Sequence, residues 1–207
     1  NYLLRVALVS ALTWANLLLG ALALVVWVVL RTRRLYLWFG LTSLSNALVN
    51  INVLTTTDLV DPYWPTFLIF AARFVSIPLF VLAMLSFFRD KAPYRLDLAL
   101  LGYAVAGPFL VMASGLDRQV MTLLYIPSIL AAALALFFCV KWALQSRRID
   151  QLLVTALLSG LLVAGTFDWL RFAGHGSLER VFLLPYMYSA TLTFVGAILV
   201  RQLASAL

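Results

Sequence analysis

The stretch LLLGALALVVWVVLRTRRLYLWFGLTSLSNAL, residues 17–48, holds two apolar runs parted by one short turn that carries Arg31, Arg33 and Arg34. A helix that crosses the hydrocarbon of a bilayer needs roughly 20 mostly apolar residues. The first run reaches back to about residue 6 and the second forward to about residue 56, so each is long enough. The first is also too long for a secretory leader, and its arginines follow the apolar segment instead of preceding it. The pair therefore reads as a hairpin of two membrane spans joined by a basic turn.

The rest of the chain repeats the pattern. Apolar runs lie at about 6–30, 35–56, 64–88, 97–115, 120–141, 150–172 and 181–203, separated by RTRR, DLVDP, RDKAPYR, GLDRQ, QSRR and AGHGSLER. Of the 207 residues 64% are hydrophobic and 11% charged, and the mean hydropathy is +1.03. Soluble domains carry about a quarter charged residues, so the solvent for most of this surface is lipid. The expected fold is an all-α bundle of seven transmembrane helices forming one domain over 1–207, with links too short for an inserted soluble domain. Because the first run starts almost at Asn1, this segment is expected to be part of a longer protein.

The net charge of +7 sits between the apolar runs and not in one groove, which speaks for membrane topology and against nucleic acid. One side of the bundle collects Arg31, Arg33, Arg34, Arg89, Lys91, Arg95, Lys141, Arg147, Arg148 and Arg201. The other collects Arg5, Arg118, Arg171 and Arg180 with Asp58, Asp61, Asp117, Asp168 and Glu179. The excess of Lys and Arg marks the first side as cytoplasmic, with the N-terminus outside. Arg31, Arg33, Arg34, Arg147 and Arg148 are then placed to meet anionic lipid headgroups.

Several chemistries lack their residues. A retinal Schiff base needs a buried lysine, and Lys91 and Lys141 both lie at loop edges. An intramembrane metal site needs several converging ligands, and His175 is the chain's single histidine, in a Gly174-His175-Gly176 turn. Cys139 stands alone, so no intrachain disulfide is possible. No cofactor and no catalytic residue is expected. Pro78, Pro108, Pro127 and Pro185 are expected to kink or open their helices. Gly102 with Ala106, and Gly160 with Ala164, have the spacing that lets helices approach closely, within the bundle or in a dimer.

Polar residues inside the spans fall at one depth. Counting a 1.5 Å rise from the cytoplasmic ends, Asn16, Asn50 and Arg73 lie about 21–23 Å up a core about 30 Å thick. Asp168 lies slightly higher, and Tyr186 and Tyr188 enter at a similar level from the last span. Asn46 shares a helix face with Asn50 and Ser43. A charge at such depth faces the bundle interior and needs compensation, so Arg73 and Asp168 are expected to pair. Three roles fit this layer: a network that locks the bundle, a ligand- or signal-sensing cavity, or a transport path. Transport is disfavoured, because Ser43 and Asn46 are nearly all the polar residues of the cytoplasmic half.

The stretch FDWLRFAGHGSLERVFLLPYMYSATLTFVGAILVRQLASAL, residues 167–207, resembles the last two helices of the bacterial seven-transmembrane receptors with diverse intracellular signalling modules. Members have an Asp near the outer end of helix six, a short Gly-containing loop, a Pro-Tyr entry to helix seven and an Arg at its cytoplasmic exit. Asp168, the turn 173–176, Pro185-Tyr186 and Arg201 match those features, whereas Phe167 stands where His or Asn is common. The first hairpin is similar too, with its basic turn and Tyr-aromatic start of the second span. The resemblance implies a non-enzymatic receptor module of the bacterial inner membrane, working as a homodimer. It also implies an extracytoplasmic sensor domain before the first helix and a histidine kinase or diguanylate cyclase after the last. On it, Asp168 is the defining residue, Arg171 an interfacial anchor and His175 incidental. The rival readings are a small-solute transporter or transporter subunit, and a structural membrane partner.

Overall fold

A computed structural model describes residues 2–31, 33–54, 63–88, 94–175 and 183–204. Seven helices account for nearly all of them: α1 (Tyr2–Leu30), α2 (Arg34–Leu54), α3 (Tyr63–Phe88), α4 (Tyr94–Ala113), α5 (Arg118–Ser146), α6 (Ile149–Phe172) and α7 (Leu184–Ala204). There is no strand among the described residues. Asp58, Asp61, Arg89, Lys91, Glu179 and Arg180, which entered the charge count, lie outside them.

Among the described residues six of the helices are long and apolar enough to cross a bilayer. α2 carries Thr42, Ser43, Asn46 and Asn50, all buried on its inward face. The surface is apolar instead: Trp14, Leu18, Phe109, Phe137 and Val163 are each more than 60% exposed. Water would expel such side chains, whereas lipid tails accept them at no cost, so the chain is a multi-pass membrane protein. α1 illustrates the inversion. Its buried positions, Val9, Thr13, Asn16, Gly20 and Ala23, recur three and four apart and include its small and polar residues, while Trp14, Leu18, Val25 and Val29 face out.

The helices pack as a closed ring in the order α1, α2, α3, α5, α6, α7, with α4 against the outside of α3. α3 is central, with 67% of its spanning window buried against 44% or less in the other five. Glycines set the closest approaches. A Cβ at Gly20 would lie 2.9 Å from that of Ser43, and one at Gly40 would lie 3.0 Å from the Gly20 carbonyl, so α1 and α2 cross there. A Cβ at Gly107 would meet that of Phe74 at 2.6 Å, which fixes α4 on α3. Gly102, expected to serve this purpose, is exposed with no atom within 4 Å of a Cβ placed there.

Helix ends depart from the expected limits for identifiable reasons. α5 continues past Lys141 to Ser146, because the exposed lysine is no barrier to a helix. It stops at Arg147, whose left-handed φ of 53° returns its N–H to the Ala143 carbonyl. Asp117 opens α5 by accepting the N–H groups of Gln119 and Val120 at 2.9 Å each. α6 closes on Gly174 at φ 105°, where Gly174 and His175 donate to the Arg171 and Leu170 carbonyls. α7 begins at Leu184, so Pro185 falls in its first turn, where the missing N–H costs no helical bond. The kink expected at Pro185 is therefore absent. α3, α4 and α5 each run on through Pro78, Pro108 and Pro127.

Candidate functional site

The expected polar layer divides into two sites on either side of α7. The first joins α1, α2 and α7 around Ser189, a residue not singled out from the sequence. Asn46 and Asn50, one turn apart on α2, each donate an amide N–H to Ser189 Oγ at 3.0 Å. Asn16 donates to the Ser189 carbonyl at 3.4 Å, and Thr193 donates to that carbonyl at 2.9 Å and to Asn16 Oδ1 at 3.3 Å. Asn16, Asn46, Asn50 and Ser189 are all at least 97% buried. Asn50 Oδ1, Ser43 Oγ and Thr42 Oγ1 are buried there without a protein partner. In a dry interior amides hold one another because no water competes for them, so this cluster ties three helices together.

The second site is a cavity of about 380 Å³ enclosed by α3, α5, α6 and α7. Its polar groups gather toward the end of the bundle where α6 stops and α7 starts: Thr66 and Arg73 from α3, Tyr125 and Ser128 from α5, Thr166, Asp168 and Trp169 from α6. Farther along the wall is apolar, with Ile77, Val81, Met84, Leu136 and Leu158. Tyr188 closes the α7 side; its hydroxyl donates to the Ser76 carbonyl at 3.0 Å and its ring lies 5.0 Å from Phe80. Trp169 is held in the wall by an indole N–H donated to the Thr122 carbonyl at 3.0 Å. Tyr186 is half-buried, outside both the cavity lining and the amide cluster.

Asp168 and Arg73 share the cavity without pairing. Asp168 is 6% exposed, and its Oδ2 accepts the backbone N–H of Leu184 at 2.6 Å. Leu183, just ahead of the helix, has no side-chain acceptor, so a carboxylate from α6 caps α7 in its place and answers the positive end of its dipole. The other oxygen, Oδ1, is buried with no hydrogen-bond partner. Arg73 is half-buried, and its guanidinium lies beside the Tyr125 hydroxyl in electrostatic contact, outside hydrogen-bonding geometry. Among the described residues no carboxylate lies within 4.0 Å of it. The expected Arg73–Asp168 ion pair is thus corrected: the start of α7 engages one carboxylate oxygen, and Tyr125 stands next to the arginine. Asn16 and Asn50 belong to the other site.

Removing the cap by Asp168→Leu is therefore expected to lower stability by about 1–2 kcal/mol. With no shared contact, the loss should add to that of Arg73→Leu within about 0.5 kcal/mol. Denaturation of the single and double variants in mixed micelles checks this; recovery of stability in the double variant would restore the ion pair.

Arg171 is not the lipid-interface anchor expected. It is 5% exposed, and its guanidinium lies 5.1 Å from the centre of the Phe167 ring. Arg118 serves the same end of the bundle: its guanidinium donates to the Phe172 carbonyl at 2.6 Å and the Arg171 carbonyl at 3.4 Å, neutralising the C-terminus of α6. His175 is exposed, as its turn implied.

At the opposite end Arg31, Arg33, Arg34, Arg147 and Arg148 are all exposed. Arg31 and Arg147 take left-handed backbone angles as the helices α1 and α5 end. Arg201 of α7 reaches Asp150 of α6 at 2.5 Å, joining the two helices at that end. No protein-family model, curated protein or solved structure matches the chain.

Proposed function

We propose that this chain is a seven-helix receptor module of a bacterial inner membrane. It would pass an extracytoplasmic signal through α7 to a cytoplasmic output domain, a histidine kinase or a diguanylate cyclase. The observation that carries the reading is a cavity whose wall includes the residue that holds the start of α7. Asp168 lines the space and caps Leu184, so an occupant that shifts Asp168 acts directly on the helix leading to the other face of the membrane. In this reading α7 has two arrangements, differing in its ties to Asp168 and the Ser189 cluster, and an occupant preferring one biases it. The likeness of residues 167–207 to the receptor family supports the same reading. α2 then crosses as the seventh span, its polar face turned inward. In this scheme the module works as a homodimer, as the resemblance implies, and is not itself an enzyme. A solute transporter would need polar groups along a whole path, and the cavity wall from Ile77 to Met84 offers apolar side chains only.

The topology in this proposal rests on ten Lys and Arg residues at one end against four at the other. A reporter active only in the cytoplasm should work when fused after Leu207 and fail when fused before Asn1. The reverse result defeats the orientation. Signal passage is checked by joining α7 to a diguanylate cyclase domain through a continuous helix and measuring its product in cells. Asp168→Ala should change that output while the amount of protein in the membrane stays the same. Equal output from both chains at equal abundance would reject Asp168 as the coupling residue.

A further inference from the structure

The cavity also states what kind of molecule fills it. One group in its polar end stands without the counter-ion that a low-dielectric site demands: Arg73 has no carboxylate within 4.0 Å among the described residues. An arginine at membrane depth calls for compensation by an anion, and beyond Asp168 the lining offers no anionic side chain. From Arg73 to Met84 the α3 wall advances about 16 Å, which at roughly 1.3 Å per tetrahedral carbon accommodates a tail of about a dozen carbons. Along that length the lining from α3, α5 and α6 is Ile77, Val81, Met84, Leu136 and Leu158. At about 380 Å³ the space falls in the size range of small-molecule sites, which are mostly apolar with a few polar groups at one end.

We propose that the cavity binds a single-chain amphiphile with an anionic headgroup, the anion on Arg73 and the alkyl tail along the α3–α5–α6 trough toward Met84. The ligand class deepens the receptor reading and rests on the same cavity, but binding and signalling are separate events. The charge on Arg73 selects the headgroup: a carboxylate or phosphate accepts a charge-assisted, two-pronged contact that an alcohol cannot match. Asp168 counts against a doubly charged head, because its own negative charge faces the same space. The apolar trough along α3 gives one tail its course. Tyr125, beside Arg73, adds a hydroxyl that can turn toward an anion once one arrives.

The test uses the full chain in nanodiscs of zwitterionic phosphatidylcholine, with laurate as the probe and dodecanol and dodecyltrimethylammonium as controls. Saturable laurate binding, read by calorimetry and by thermal shift, is expected, with dodecanol at least about tenfold weaker. Arg73→Gln should weaken laurate by about 10- to 100-fold, and Arg73→Lys should recover part of the loss. Met84→Trp, which fills the far end, should weaken laurate more than hexanoate, whose tail stops short of it. Equal affinity for laurate and dodecanol, or preference for the cationic probe, would overturn the proposal. Laurate binding that vanishes in nanodiscs containing phosphatidylglycerol would reassign the site to a bilayer lipid with two chains. Laurate binding with no change in cyclase output would leave the ligand class standing and reject the receptor reading; a responsive output without laurate binding would do the opposite.

Discussion

Gly107→Leu is expected to force α4 away from α3, lowering stability by about 3 kcal/mol. A Cβ at this position would stand 2.6 Å from the Phe74 Cβ, an atom fixed to the α3 backbone, so no rotation of the phenylalanine ring relieves the overlap. Phe74 is fully buried and its ring lies 4.9 Å from that of Tyr125, so a displacement here also reaches the wall of the cavity. Gly102→Leu on the same helix supplies the control. Nothing lies within 4 Å of a Cβ at Gly102, and the change should stay within about 0.5 kcal/mol. Unfolding of both variants in mixed micelles decides it. Equal losses at the two glycines would mean that α4 is seated on α3 by another face.

Ser189→Ala is expected to cost about 2–3 kcal/mol, although it removes a single oxygen. That oxygen accepts two amide donors, from Asn46 and Asn50, and neither has another acceptor among the described residues. Hydrogen bonds between membrane helices are often modest, about 0.6 kcal/mol on average, because polar groups find partners in the unfolded chain as well. Here the larger part of the loss comes from stranding two buried donors at once. Changing all three residues, Ser189→Ala with Asn46→Leu and Asn50→Leu, removes donors and acceptor together and should return much of the stability. A triple variant less stable than Ser189→Ala alone would show that the amides hold the bundle by contacts other than these.

Most of the architecture was legible in the sequence because lipid imposes a length on each apolar run. The seven helices appear within a few residues of the expected limits, and the differences at α5 and α7 trace to their ends. α5 runs on to Arg147 because a lysine on a helix surface is no stop signal, while the backbone of Arg147 is. α7 starts three residues later than its apolar run because the Asp168 carboxylate meets the Leu184 N–H. Which polar residues lie inside the bundle was legible too. Asn16, Asn46, Asn50, Arg73, Asp168 and Tyr188 all occur as buried or half-buried residues of the interior.

Direction around each helix is what the sequence by itself left undetermined. In a soluble protein the apolar stripe marks the inward face, but in lipid every face is apolar and the stripe vanishes. Residues at one height were therefore read as one layer, although Asn16, Asn46 and Asn50 converge on Ser189 while Arg73 and Asp168 face the cavity on the other side of α7. Ser189, Thr193 and Tyr125 carry no charge and follow no spacing rule, so only the packing of α7 and α5 gave them partners. The charge of Arg171 points to the lipid interface, whereas the fold buries it against Phe167, whose aromatic ring attracts the guanidinium. The sequence determined the solvent and the number of helices. The tertiary structure decided which of them meet, because contact depends on the azimuth that lipid leaves free.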